Sequence, residues 1–176
     1  MRAQKLDLKF LVDQGSKPSS RTEITQFIPL VSHRSALLEA SFGASAIEKW
    51  LPLSLEILDQ FQRRGVRSRE SWRRFVAVRL NREEASTMDR LANEGAVLVI
   101  DRHYGTIRPS HSEQQSLFGA VMGRELVLGY GDAIGTNLVI HPPTAGLRPR
   151  VIYLEPNTDP GRYIVGRIVM ILNVFQ

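Results

Sequence analysis

Cysteine is absent from this chain, which removes disulfide frameworks, thiolate metal sites and cysteine nucleophiles together. Lysine is nearly as restricted: Lys5, Lys9, Lys17 and Lys49 all precede residue 50. From Leu51 to Gln176 every basic side chain other than histidine is an arginine. Arginine keeps its proton in a protein, whereas a desolvated lysine gives it up, so the C-terminal two-thirds holds no lysine general base. The histidines are His33, His103, His111 and His141, and no two are three or four positions apart. No helical face therefore gathers a histidine pair for a metal or for a hydroxyl nucleophile. Long apolar runs are missing too. AVLVI and IVMIL are typical of the longest, far short of the roughly 18 residues of a membrane span. The opening MRAQKLDLKF has no apolar signal segment, so the expectation is a soluble, cytoplasmic protein without membrane contact.

What is present points to a single β-rich unit. Apolar residues make up 43% of the 176, enough for a real core. Residues 1–34 read as an N-terminal arm or linker, with the polar cluster GSKPSS and the apolar anchor FIPLV from Phe27 to Val31. Residues 35–70 read as a helical segment, with helices over Ser45–Trp50 and Pro52–Arg63. In the second, Leu53, Leu55, Ile57, Leu58 and Phe61 fit one apolar face, Pro52 suits a first turn and Gly65 a stop. Residues 71–176 change character. Short apolar runs recur about every ten residues: Phe75–Leu80, Ala96–Asp101, Ser116–Met122, Glu125–Tyr130, Asn137–His141, Val151–Glu155 and Tyr163–Phe175. Turn-rich segments such as GDAIGTN, HPPTAGLRP and EPNTDPG separate them, which predicts a mainly β domain and not alternating βαβ units.

Three features bear on chemistry. Ser86 and Thr87 lie in the polar stretch between the first two runs. S-T-M-D there matches a helix-capping pattern, with Ser86 as the cap. A hydroxyl nucleophile would need a base beside it, which only a histidine or carboxylate could supply. From Phe61 to Arg82, Arg63, Arg64, Arg67, Arg69, Arg73, Arg74, Arg79 and Arg82 face Glu70 alone. Such a segment could grip phosphates, with Trp72 as a stacking face, or it could solvate a junction and pair with Glu83 and Glu84. GYGDAIG lacks the setting and spacing of a phosphate loop and fits a hairpin, so no cofactor is expected.

The succession of segments resembles the C-terminal, serine-peptidase-like β domain of LexA and phage-repressor-type regulators, from about Trp72 onward. FVAVRL leads into Ala85-Ser86-Thr87-Met88, then Gly95 and AVLVID, and Met88 and Gly95 keep the family's separation of seven. ELVLGYGDAIGTNLVIHP is similar to the family's paired strands and YIVGRIVMIL to its closing strand. The resemblance places the nucleophilic serine at Thr87 and the general-base lysine at about Gly129, so it implies a vestigial site (Ser86, Thr87, Met88, Gly129) and no peptidase activity. WRRFVAVRLNREEA, GAVLVIDRHYGTIRP and RYIVGRI resemble bacterial regulators of the XRE helix-turn-helix class more closely still. That likeness implies an oligomerisation or sensing domain of a transcriptional regulator. DNA would be contacted through a helix-turn-helix that is not evident in this chain. The continuously apolar Ile168–Leu172 further suggests either a strand covered on both faces or a homodimer interface with Met170 and Leu172 as contacts. The alternatives are an active peptidase using Ser86 or Thr87 with a histidine, an arginine-rich nucleic-acid-binding module, and a small-ligand site in the vacated groove.

Overall fold

In the computed structural model, which describes residues 25–61, 71–103, 116–123, 125–158 and 160–173, the chain is mainly β. The strands are β1 (Thr25–Val31), β2 (Ile47–Ser54), β3 (Phe75–Arg79), β4 (Val97–Asp101), β5 (Leu117–Met122), β6 (Glu125–Ile134), β7 (Asn137–His141), β8 (Arg150–Tyr153) and β9 (Ile164–Leu172). Three short helices join them: α1 (His33–Leu38), α2 (Leu55–Asp59) and α3 (Arg82–Ser86). The strands form one sheet in the order β2-β1-β3-β4-β9-β5-β6-β7-β8. Only the β1–β3 contact is parallel. No helix among the described residues is long and apolar enough to cross a membrane.

All seven apolar runs after Ser71 are strands, because each is bounded by turn residues and too short for a helix of ordinary length. The middle of the sheet explains why they are continuously apolar. Along β3, Val76 and Val78 enter one core cluster with Leu98, Ile100, Met88 and Leu128, while Phe75 and Ala77 enter a second on the other face. β4 alternates in step, with Leu98 and Ile100 on the first face and Val97 and Val99 on the second. Successive side chains point to opposite faces, so strands covered on both sides lose the polar half of the pattern. A third cluster, with Phe118, Ala120, Leu138, Ile140, Ile152 and Ile164, fills the β5–β8 half.

The N-terminal part departs from expectation. Ser45–Trp50 is not helical: a 3-10 turn at Ala44–Ala46 leads into β2, whose Ile47–Ser54 pairs antiparallel with β1. The helix expected over Pro52–Arg63 begins only at Leu55 and runs to Asp59, burying Leu58 in the second cluster. Leu51 and Leu53 reach that cluster from the strand. Pro52 is tolerated there because β2 is an edge strand, where a missing N–H breaks no inner ladder. FIPLV lies within β1, so the expected boundary at residue 34 falls after a strand of this same sheet and inside α1.

β9 lies between β4 and β5, not at an edge. Met170 is 9% exposed within the second cluster, and Leu172 packs against that cluster partly buried. Both residues of the candidate interface pair thus lie in or against the chain's own core, and the coverage of β9 on both faces suits the apolar run Ile168–Leu172. Truncating Met170→Ala should cost about 2–5 kcal/mol of stability. Urea unfolding should show the loss as a lower midpoint, with no change in mass of the folded species.

Candidate vestigial site

The polar stretch after β3 starts with a capping box. The Asn81 side chain accepts the N–H of Glu84 at 2.9 Å, and Glu84 Oε2 accepts the N–H of Asn81 at 2.9 Å. The cap of α3 is thus Asn81, five positions before the Ser86 expected in that role. Ser86 ends the helix, and both hydroxyls turn back on it. Ser86 Oγ donates to the Glu83 carbonyl at 2.6 Å, and Thr87 Oγ1 donates to the Glu84 carbonyl at 2.7 Å. This is the back-bonding by which Ser and Thr satisfy themselves locally. A nucleophile instead directs its proton to a base. Met88 is fully buried in the first cluster and anchors the loop.

A second segment closes over this loop. Thr144, in the connection after β7, donates its hydroxyl to the Ser86 carbonyl at 2.9 Å and accepts the Asp89 N–H at 2.8 Å. Its own N–H donates to the Thr87 carbonyl at 3.2 Å. One threonine thus bridges three positions of this loop, Ser86, Thr87 and Asp89, the last with a left-handed φ of 50°.

Gly129 sits within β6, opposite Phe118 of β5. A Cβ built there would meet the carbonyl of His141, with the carbonyl carbon at 2.8 Å and Ile140 Cγ2 at 2.9 Å. His141 ends β7, so the chain leaves that strand across the α-carbon of Gly129. Pro142 and Pro143 then carry it to Thr144 and the backbone of Thr87. The structure brings Ser86, Thr87 and Met88 together on α3 and the turn after it, and links them to Gly129 through the chain's own 141–144 segment. Nothing in HPPTAGLRP marked Thr144 as the residue that closes this site.

The arginine-rich segment is only partly within view: Arg63, Arg64, Arg67 and Arg69 lie outside the described residues. Arg74 forms a two-pronged ion pair with Asp101, Nη2 at 2.9 Å and Nε at 3.3 Å, and its guanidinium also lies over Phe75. Arg73 lies over Trp50 at 5.1 Å. Trp72, expected as a stacking face for bases, is covered by Arg102 at 4.2 Å. Glu84 pairs with His33.

The three motifs that looked most distinctive meet in one polar cluster beside this region. Arg102 is fully buried; it lies over Trp72 and Phe42 and donates to the carbonyl of Glu39. Asp101 Oδ1 accepts the His103 N–H at 3.2 Å, and His103 Nε2 donates to the Trp72 carbonyl at 2.9 Å. Arg167, buried on β9, stands opposite Asp101 in the β4–β9 ladder and donates to the Phe61 carbonyl at 3.0 Å. These residues hold the ends of β3, β4 and β9 to the Glu39–Phe42 turn and to α2. Their chemistry is charge-assisted bonding in a dry setting, where removing one partner of the Arg74–Asp101 pair would strand a buried carboxylate.

His33 binds its proton more tightly than a free imidazole. Its Nδ1 lies 3.0 Å from Glu84 Oε1 and its Nε2 lies 2.8 Å from the Arg79 carbonyl. Both ring nitrogens face acceptors, so the doubly protonated ring satisfies both. The hydrogen bond to Glu84 raises the pKa above the ordinary 6.5 despite opposition from burial, with further help from the charges of Glu84 and Glu48. Among the described residues no group of three or more histidines and carboxylates is placed to hold a metal ion. No protein-family model matches the chain, and no curated protein is significantly similar to it.

Two expectations follow. A folded-state pKa raised above the unfolded value stabilises the fold in full below about 6.5, and that stability is lost as pH rises through the raised value. Wild type should therefore lose melting temperature relative to His33→Gln as pH increases from 6.5 upward, in paired thermal scans. Gly129→Ala should cost about 1–3 kcal/mol by overpacking, because its neighbour is backbone. Chemical denaturation measures that loss. Gly129→Lys should be at least as damaging and should create no activity.

Proposed function

We propose that this chain is the regulatory and self-association domain of a cytoplasmic transcriptional regulator, on a LexA-like, peptidase-type β fold that does not cleave peptide bonds. The observation that carries the reading is the closure of the site at which a Ser–Lys dyad would sit. Ser86 and Thr87 spend their protons on their own helix, and the base position is a glycine under the His141 carbonyl. A dyad needs a hydroxyl held against an unprotonated amine. At position 129 there is neither an amine nor room for one, and no lysine follows residue 49.

The likeness to XRE-type regulators rests on segments that have structural work to do in this fold. WRRFV carries Arg74, IDRH carries Asp101, Arg102 and His103, and VGR carries Arg167. These residues form the polar cluster described above, which supports reading the motifs as the signature of a shared scaffold. The nucleic-acid-module alternative is weakened, because Arg73, Arg74 and Trp72 are engaged within the chain. DNA contact is accordingly assigned to a helix-turn-helix partner domain, with this domain pairing the subunits that read a two-fold operator.

Purified protein held at alkaline pH should keep its intact mass over days. A fragment that disappears in Thr87→Ala or Ser86→Ala would overturn the inactive reading. Fused behind a DNA-binding domain that represses only as a dimer, the chain should restore repression. A fusion that is stable in the cell yet silent would count against the regulatory role.

A further inference from the structure

The two edges of the sheet are built differently. β2 carries Lys49 and Pro52, with Glu48 exposed beside them, and charges and proline are common means of blunting an edge against pairing. β8 is bonded to β7 on one side, and among the described residues no strand pairs with its other side. It has no proline within it and presents Val151, 37% exposed, and Tyr153, 77% exposed, on its outer face. Ile134 and Leu147 add exposed apolar surface at the same end of the sheet. Between Val151 and Tyr153, Ile152 turns inward into the third core cluster.

The strand is also polar along its length. Arg148 and Arg150 lie at its start, Arg150 in an exposed ion pair with Glu125 at 3.0 Å, and Glu155 lies just past its end. Antiparallel pairing of two copies sets the basic end of one beside the acidic end of the other, whereas parallel pairing would set like beside like. A two-fold axis through the sheet allows only registers in which opposed residues share a face. The register centred on Ile152 places Val151 of each copy opposite Tyr153 of the other, an aromatic and β-branched pair of the kind that stabilises sheets. It also sets Ile152 against its own counterpart, which joins the third core clusters of both copies.

We propose that β8 is the self-association edge of this protein, and that its occupant is a second copy of the chain paired antiparallel about Ile152. This rests on the self-association part of the reading above and assigns it a surface, one that excludes Met170 and Leu172. The strand is short, so backbone bonds alone would hold weakly, and Tyr153, Val151, Ile134 and Leu147 must supply the apolar contact.

The full chain should sediment as a dimer at micromolar concentration, and Val151→Lys and Tyr153→Lys should each shift it to monomer. Both positions are exposed, so their thermal transitions should stay near that of wild type. The chain lacks cysteine, so Val151→Cys/Tyr153→Cys introduces the only thiols. Opposed cysteines in an antiparallel pair have Cα separations of about 4.5–5.5 Å, within disulfide reach. Mild oxidation should therefore convert this variant to a covalent dimer and leave a Trp50→Cys control on the other edge monomeric on a denaturing gel. A dimeric wild type that persists in both lysine variants would overturn the β8 surface while leaving self-association intact. A wild type that stays monomeric at high micromolar concentration would overturn both. A dimer dissolved by the lysines but not cross-linked by the cysteine pair would overturn the register.

Discussion

Burying β4 and β9 on both faces creates the constraint on which the rest of this structure depends. Two adjacent strands with no wet face can end only where their last polar groups find partners inside the protein, since unpaired buried charge is prohibitively costly. β4 ends in Asp101 and runs into Arg102, and β9 carries Arg167 across from Asp101. Arg74, at the start of β3, neutralises the carboxylate, while the rings of Phe42 and Trp72 cover Arg102. The same groups fix the turns that follow, because Asp101 also accepts the N–H of His103. The continuous apolar runs and the charged residues at their ends are thus one feature of the fold.

The use of glycine beside carbonyls recurs. The chain leaves β4 across Gly166, where a Cβ would meet the Asp101 carbonyl group, much as it leaves β7 across Gly129. In each case a strand ends by folding over its neighbour, and only a residue without a side chain permits the approach. At Gly166 the result is structural, since it lets β9 lie under the polar cluster. At Gly129 it lets the segment after His141 cross β6 on its way to Thr144, whose N–H bonds to the Thr87 carbonyl. Gly129 is therefore matched to its backbone surroundings.

His33 couples α1 to this region through electrostatics. Glu84 uses one oxygen to complete the capping box of α3 and the other to hold His33. The helix bearing Ser86 is thereby tied to α1 and to the end of β3, with Thr144 binding it from the other side. A loop held from both flanks by hydrogen bonds suits a connection that keeps two strands in place.

Much of this was legible in the residues themselves. Turn-bounded apolar runs marked β3 to β9 because a run of five or six apolar residues is long enough for a strand and too short for a helix. The lack of lysine after residue 49 removed a lysine base from the C-terminal two-thirds without any coordinates, since protonation chemistry depends on residue type. The N-terminal strands were harder to read. β2 has apolar residues on both faces, with Trp50 and Pro52 outside and Leu51 and Leu53 inside, so its spacing fits a helix about as well as a strand. β6 continues through Gly131 and Asp132, residues that usually turn, because pairing with Ile140 and Val139 outweighs their local preference. Chain composition determined what chemistry was impossible, and local pattern determined most strands. Tertiary structure alone decided that β9 is central, that Thr144 closes the loop at Thr87, and that Gly129 lies under a carbonyl. Those are contacts between segments distant in sequence, and neither periodicity nor composition carries information about which segments meet.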